Sequence, residues 1–185
     1  RGVERVQPLL GQVERVAGIV RAGLDRGSWP TPTLRIVDLN DVAARMIQFL
    51  EPSFADAGVI ARLDGAGNGA RTPVLAACDA SMVEQILLNL LKNAIEALAS
   101  GNRITIHTGQ SDREAFIDVY DDGPGLDRIA ESNLFRPFST TKGPAGTGLG
   151  LAVSLRLART LGGDLVHLPS PRGARWRLTL PRVAA

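Results

Sequence analysis

The segment from residue 82 to residue 99 is predicted to form a helix with an unusual polar face. Steps of three and four place Gln85, Asn89, Lys92, Asn93 and Glu96 on one side of it. The face could simply be solvated, but asparagine is a poor helix former because its side chain competes for backbone hydrogen bonds. Two asparagines one turn apart, in NLLKN, therefore favour ligand binding. A neutral amide oxygen suits Mg²⁺ when phosphates supply the remaining charge.

A glycine-rich stretch, GPAGTGLGLAV, occupies residues 143–153 and runs into apolar sequence. It lacks the lysine and spacing of a Walker A loop, and Gly146, Gly148 and Gly150 follow G-x-G-x-G rather than the dinucleotide pattern G-x-G-x-x-G. A glycine loop that opens a helix still binds anions well, because free N–H groups and the helix dipole point at the ligand. The alternative is a flexible surface turn.

The third stretch that could do chemistry is YDDGPGLD, residues 120–127, where a predicted strand ends. A carboxylate at a strand end can accept a hydrogen bond from an exocyclic amine, and Gly123 and Gly125 would let a flat ring approach. Asp121 or Asp122 would then be the specificity contact. The alternative is an ordinary tight turn.

Two parts of the chain are predicted around these stretches. Residues 3–26 show apolar positions at helical spacing opposite an arginine-rich face, which indicates an amphipathic helix that needs a partner. The sequence GSWPTPT then breaks the helix. We therefore predict a helical segment at 1–28, a linker at 29–33 and a second domain at 34–185.

Helices and strands are mixed in the second domain. Helices are predicted at 39–58, 82–99 and about 148–161, and 127–146 reads as a long loop. RITIHT and AFIDVYD predict a hairpin, two short strands flank the glycine-rich turn near residue 67, and DLVHLPS and ARWRLTL predict closing strands. Asn40 or Asp41 is predicted to cap the start of the first helix, and Gly58 to end it. The second helix is predicted to begin with a capping box formed by Ser81 and Glu84 and to end at Gly101. This mixture favours an α+β fold.

Composition narrows the classes of function. The 21 positive and 19 negative residues are well mixed, which argues against nucleic-acid binding. The single Cys78 excludes a disulfide framework and fits a reducing compartment. No apolar run is long enough to span a bilayer, so we expect a soluble polypeptide. The chain begins at Arg1, and we expect it to be a piece of a longer protein.

Four motifs in order resemble the N, G1, F and G2 boxes of sensor histidine kinases: NLLKNAIEA, DDGPG, LFRPFSTTK and GTGLGLAV. The resemblance covers roughly residues 34–181 and implies a GHKL ATP-binding fold, a two-layer sandwich of a mixed β-sheet covered by helices on one face. The preceding amphipathic helix resembles the second helix of the dimerisation and phosphotransfer hairpin of this family.

The resemblance also implies roles for individual residues. Asn93 matches the Mg²⁺ ligand, Asn89 and Lys142 match catalytic residues near the phosphates, and Asp121 matches the acid that recognises the adenine amine. Phe135 and Phe138 match hydrophobic anchors of a mobile ATP lid. The implied ATP-binding residues are Asn89, Lys92, Asn93, Asp121, Gly123, Gly125, Lys142, Gly146, Thr147, Gly148, Leu149 and Gly150.

A kinase of this family transfers the ATP γ-phosphoryl group to a histidine on a hairpin helix, for relay to a response-regulator aspartate. Neither His107 nor His167 lies in such a helix, so we expect the chain to bind ATP without autophosphorylation. The resemblance further implies a homodimeric full-length protein, cytoplasmic itself or the cytoplasmic part of a membrane-bound sensor.

Other GHKL proteins are ATPases or serine kinases. They commonly place a glutamate general base where this chain has Asn89, and an amide cannot take a proton from water. Asn89 therefore favours the sensor-kinase branch. A nucleotide-binding module that regulates without catalysis is the remaining alternative.

Overall fold

The computed structural model describes residues 31–64, 72–126, 133–139 and 148–183. The predicted amphipathic helix lies outside these residues, so the predicted boundaries at 28 and 33 stay predictions. Among the described helices, none is both long and apolar enough to cross a bilayer.

The described chain folds into helices and strands in the order expected of an α+β domain. The helices are α1 (Leu39–Ala57), α2 (Ala80–Ala97) and α3 (Gly150–Thr160). The strands are β1 (Arg35–Asp38), β2 (Ile60–Asp64), β3 (Leu75–Cys78), β4 (Arg103–Gln110), β5 (Glu114–Asp121), β6 (Asp164–Leu168) and β7 (Arg175–Pro181).

The main sheet has five strands in the order β2-β4-β5-β7-β6. Strand β2 runs parallel to β4, and the other pairs are antiparallel. The predicted hairpin is confirmed as β4 and β5, with Ile106 opposite Val119. The predicted closing strands are confirmed as β6 and β7. The sheet is therefore mixed, and the α+β prediction is confirmed.

The core lies between one face of this sheet and the helices. Alternation along β4 and β5 places Ile104, Ile106 and Ile117 on the helix-facing side, where each is fully buried. On α2, Ile86 and Leu87 are equally buried, as the apolar face of the predicted helix requires. This packing fixes α2 over the sheet and so orients its polar face.

The opposite face of the sheet holds a buried carboxylate, Asp118 on β5, which is 2% exposed. Arg175 Nη2 lies 2.7 Å from its Oδ2, and Arg177 Nε lies 2.7 Å from its Oδ1. Burial alone would raise the pKa of Asp118, but the hydrogen bonds from Arg177 and Arg175 outweigh it and lower the pKa. The Arg177 guanidinium also stacks 4.1 Å from the centre of the Phe116 ring.

Helix α1 begins earlier than its predicted cap. The cap is Asp38, whose side chain accepts a hydrogen bond from the backbone N–H of Asn40, so the prediction of Asn40 or Asp41 was wrong. Asp38 ends β1 in an extended conformation, and the strand therefore leads directly into the helix. Gly58 ends α1 in the left-handed conformation, which confirms that part of the prediction.

Helix α2 is also capped by an aspartate. Asp79 accepts from the backbone N–H of Ser81 and from its hydroxyl, so Ser81 lies inside the helix and the predicted capping box does not form. Glu84 instead pairs with Arg45 of α1 at 3.1 Å. In both helices, an aspartate that directly follows or ends a short strand sets the start of the helix.

Strand β1 was not predicted from the sequence. Its four residues pair antiparallel with β3 in a separate two-stranded sheet, with Ile36 opposite Ala77. A single bridge between Ala76 and Arg182 links this sheet to the chain beyond β7. A strand this short carries little local signal, because its partner lies about 40 residues away in sequence.

Candidate nucleotide-binding site

Asp121 is the last residue of β5 and is 4% exposed. Its Oδ1 accepts hydrogen bonds from the backbone N–H groups of Gly123, at 3.0 Å, and Ala174, at 3.2 Å. Burial raises the pKa of Asp121, and those two backbone bonds only partly oppose the shift. A buried carboxylate with one anchored oxygen is suited to accept a hydrogen bond from a ligand amine on the other oxygen.

The glycines that follow Asp121 allow the turn to pack tightly. A Cβ at Gly123 would lie 3.0 Å from both Asp121 Oδ1 and Leu98 Cδ2, next to the end of α2. Gly125 has φ 77°, which side-chain-bearing residues rarely adopt, and its Cβ would lie 3.1 Å from the carbonyl oxygen of Gly173. The predicted turn is therefore present, and it brings Asp121 beside the C-terminal end of α2.

Asn89 lies in the middle of the polar face of α2 and joins this helix to α3. Its Nδ2 donates to the carbonyl oxygen of Gly150 at 3.2 Å and to Ser154 Oγ at 3.0 Å. Its Oδ1 accepts from Gln85 Nε2 at 3.4 Å, and Gln85 is only 7% exposed. Asn89 therefore positions the first turn of α3. Sequence reasoning missed Ser154, which is fully buried, because a lone serine in a helix carries no signal.

The other polar residues of this face follow Asn89 toward the end of α2. Asn93 is half-buried one turn further on, whereas Lys92 and Glu96 are exposed. The predicted contacts of Asn93 with Mg²⁺ and of Lys92 with ATP stay predictions. Among the described residues, no group of three His, Cys, Asp or Glu side chains could hold a metal ion.

Only the end of the glycine loop lies within the described residues. Gly148 has φ 61°, and its Cβ would lie 2.5 Å from the carbonyl carbon of Phe138. Leu149 is buried, and α3 begins at Gly150 without a side-chain cap. The N-terminus of a helix presents backbone N–H groups that can bind an anion.

The remaining predicted residues of the loop, Lys142, Gly146 and Thr147, lie outside the described residues.

The segment 133–139 contacts the sheet through one aromatic residue. The Phe135 ring meets Trp176 of β7 edge-on, with the ring centres 6.2 Å apart. Phe138 is 75% exposed and has φ 64°, so its side chain does not act as a hydrophobic anchor within the described domain. Its backbone instead packs against Gly148.

Helix α2 connects the two halves of the site. Its Asn89 contacts the start of α3, and its C-terminal Ala97 and Leu98 lie next to Gly123. These two contact points are eight residues apart, which corresponds to about 12 Å of helix. The turn that holds the buried Asp121 carboxylate and the N-terminus of α3 thus lie along the same helix, an arrangement that suits a ligand with a flat amino-substituted ring and an anionic tail.

A mixed five-stranded sheet covered by helices on one face is the fold of an ATP-binding domain of the histidine-kinase type. The profile of the family described as histidine kinase-, DNA gyrase B- and HSP90-like ATPases matches residues 78–184. The chain belongs to this family.

Sequence and structure comparisons agree with the assignment. The signal transduction histidine-protein kinase AtoS of Escherichia coli is 40% identical over 129 residues, which are 68% of this chain and 21% of AtoS. The histidine kinase AdeS of Acinetobacter baumannii has the same fold, with TM-score 0.69 and 24% identity over 95% of this chain and 82% of the AdeS chain. Full-length ShkA in complex with AMPPNP matches with TM-score 0.70 and 25% identity over 83% of this chain and 32% of that chain. The chain spans about a fifth of the length of the curated relatives it matches.

Proposed function

We propose that this chain binds Mg-ATP as the catalytic part of a sensor histidine kinase and transfers the γ-phosphoryl group to a histidine outside it. The carrying observation is that α2 contacts both the turn that anchors the buried Asp121 carboxylate and the start of α3. The AMPPNP bound by ShkA, an ATP analogue, supports the same ligand class.

Each part of the nucleotide has a proposed partner. Asp121 accepts a hydrogen bond from the adenine amine, and Gly123 and Gly125 leave room for the ring. The first N–H groups of α3, from Gly150 onward, face the phosphates. The predicted loop residues Lys142, Gly146 and Thr147, together with Lys92, would complete the phosphate contacts.

Mg²⁺ fits the donor chemistry of this site only together with the phosphates. Asn93 would offer one neutral amide oxygen, and phosphate oxygens and water would supply the remaining ligands that an octahedral Mg²⁺ needs. When bound, the ion neutralises charge on the transferring phosphoryl group. Asn89 has both hydrogen bonds of its Nδ2 directed at α3, and its Oδ1 accepts from Gln85, so we assign it a positioning role beside the phosphates.

The phosphoryl acceptor would be a histidine that this chain does not contain. His107 is exposed on the sheet face opposite the helices, and His167 lies in β6 with its ring 5.1 Å from that of Trp176. In the transfer, the bond between the γ-phosphorus and the bridging oxygen breaks, a phosphorus–nitrogen bond forms on the histidine, and ADP leaves. We propose a phosphoacceptor helix and a response-regulator receiver domain as partners, in a homodimeric cytoplasmic protein.

Two experiments test this function: a measurement of ATP binding and a phosphoryl-transfer assay with labelled ATP. Calorimetry with the chain should show Mg-dependent ATP binding, and Asn93→Ala should remove the dependence on Mg²⁺. Incubation with a separately made hairpin that carries an acceptor histidine should then yield acid-labile label on the hairpin and none on this chain. Absence of ATP binding would refute the proposal. Acid-stable label would indicate a serine kinase, and free phosphate alone an ATPase.

A further inference from the structure

The connection between β6 and β7, residues 169–174, lies against the end of β5, where Asp121 is located. Ala174 forms a reciprocal pair with Asp121: its N–H donates to Asp121 Oδ1 at 3.2 Å, and its carbonyl accepts from the Asp121 N–H at 3.0 Å. Arg172 Nε donates to the carbonyl oxygen of Asp122 at 2.8 Å. Three hydrogen bonds thus hold this connection to Asp121 and its neighbour.

Gly173 makes this close approach possible. A Cβ at this position would overlap the carbonyl oxygen of Asp121 and would lie 2.9 Å from its Oδ1. Gly173 also has φ 67°, and its carbonyl oxygen would lie 3.1 Å from a Cβ placed at Gly125 on the other side of the turn. Both the backbone conformation and the space therefore exclude a side chain.

These contacts control the orientation of the carboxylate. Gly123 and Ala174 donate to the same oxygen from two different segments of the chain, so rotation of the Asp121 side chain would break at least one bond. With Oδ1 fixed in this way, Oδ2 is held in one direction. A preorganised acceptor distinguishes a ligand that donates a hydrogen bond from one that does not.

We infer that the Arg172–Gly173–Ala174 segment, called here the β6–β7 clamp, is a positioning element that makes the site selective for purine nucleotides with a 6-amino group. The inference rests on the proposed ATP-binding function, because it concerns how Asp121 distinguishes one base from another. The clamp acts through Asp121 and does not itself contact the base. Its loss should weaken binding of the amino-substituted purine and leave a purine without that donor nearly unaffected.

The test compares ATP with inosine triphosphate, which carries a carbonyl oxygen in place of the 6-amino group. We expect the wild-type chain to prefer ATP by at least about tenfold in Kd, since the analogue leaves a buried charged acceptor unpaired. In Gly173→Ala, ATP should bind at least about tenfold more weakly, and inosine triphosphate should change less than about twofold. Arg172→Ala, at an exposed position, removes the hydrogen bond to the Asp122 carbonyl oxygen. It should reduce the preference for ATP over inosine triphosphate by about two- to threefold.

Gly101→Ala is the matched control. Gly101 also has a positive φ, 88°, but its Cβ would meet no atom within 4 Å, so this variant reports backbone strain alone. It should keep the wild-type preference. If Gly173→Ala does not fold, as judged by circular dichroism, Arg172→Ala decides the question.

The outcomes separate the two proposals. If the wild-type chain binds no ATP, the proposed function and this inference both fail. If the wild-type chain prefers ATP and the clamp variants keep that preference, the function stands and the inference is overturned. An equal loss of both nucleotides in the variants overturns it as well, because a purely structural role would reduce both.

Discussion

The hydrogen bond between Asn89 and Ser154 offers a direct test of how α2 holds the start of α3. Ser154→Ala removes the acceptor that lies 3.0 Å from Asn89 Nδ2 at a fully buried position. Asn89 then keeps only the carbonyl oxygen of Gly150 as an acceptor, at 3.2 Å. Since Asn89 is half-buried, water replaces part of the lost bond, and we expect a cost of about 1 kcal/mol in unfolding free energy.

Asn89→Ala should cost more, because it breaks three hydrogen bonds at once. It leaves the amide of Gln85, the hydroxyl of Ser154 and the carbonyl of Gly150 without this partner, and Gln85 is only 7% exposed. We expect a loss of about 2–4 kcal/mol. Both single variants lose the hydrogen bond between Asn89 and Ser154. The loss in unfolding free energy of the double variant should therefore be smaller than the sum of the two single losses by about 1 kcal/mol.

Urea unfolding of the wild type, the two single variants and the double variant, followed by circular dichroism, gives the coupling free energy between Asn89 and Ser154. Ser53→Ala, at an exposed position of α1, controls for the better helix propensity of alanine and should change stability by less than about 0.5 kcal/mol. Calorimetry on the same variants should show weaker ATP binding in both single variants, because we propose that the first turn of α3 binds the phosphates. Additivity within about 0.3 kcal/mol would refute the proposed positioning role.

Other consequences can be tested in the same way. Asp118→Asn replaces the carboxylate under Arg175 and Arg177 and should lower the unfolding free energy by about 2–4 kcal/mol, whereas Glu84→Gln, which breaks a largely exposed pair, should cost less than about 1 kcal/mol. Because the pKa of Asp118 is lowered in the folded state, its stabilisation is present above the unfolded pKa of about 3.9 and disappears as the pH falls through the lower folded value. The difference in unfolding free energy between wild type and Asp118→Asn, measured by urea unfolding, should therefore be smaller in acid than at pH 7. An equal difference at pH 7 and in strong acid would contradict this reasoning. Gly148→Ala should weaken ATP binding at least about tenfold in calorimetry, because its Cβ would meet the backbone of Phe138 at 2.5 Å, and unchanged affinity would argue against that packing. Burial and, to a smaller extent, the charge of Asp79 raise the pKa of Cys78 to about 11. Iodoacetamide at pH 8 should therefore label Cys78 only after the chain unfolds. Rapid labelling of the folded chain would show that the Cys78 thiol is accessible to solvent.

Much of the fold was predictable because its signals are local. Apolar spacing defined α2, alternation defined the β4–β5 hairpin, and Gly58 marked the end of α1. The motifs also identified Asp121 and the asparagine face of α2 as candidate site residues. Each of these signals depends on residues within one turn or one hairpin of each other.

Long-range contacts explain what the sequence did not show. The caps are Asp38, the last residue of β1, and Asp79, which directly follows β3, and these two strands pair with each other across about 40 residues of sequence.

The sequence by itself determined the family, the order of the helices and most strands, and the candidate site residues. Only the tertiary structure decided how those residues are held: Asn89 is committed to α3, and Asp121 is fixed by Ala174, more than 50 residues away. In the sequence, Gly173 looks like an ordinary turn residue, and only the structure shows that it packs against the backbone of Asp121. The reason is that close packing is set by the partner segment, and no local pattern contains the identity of that partner.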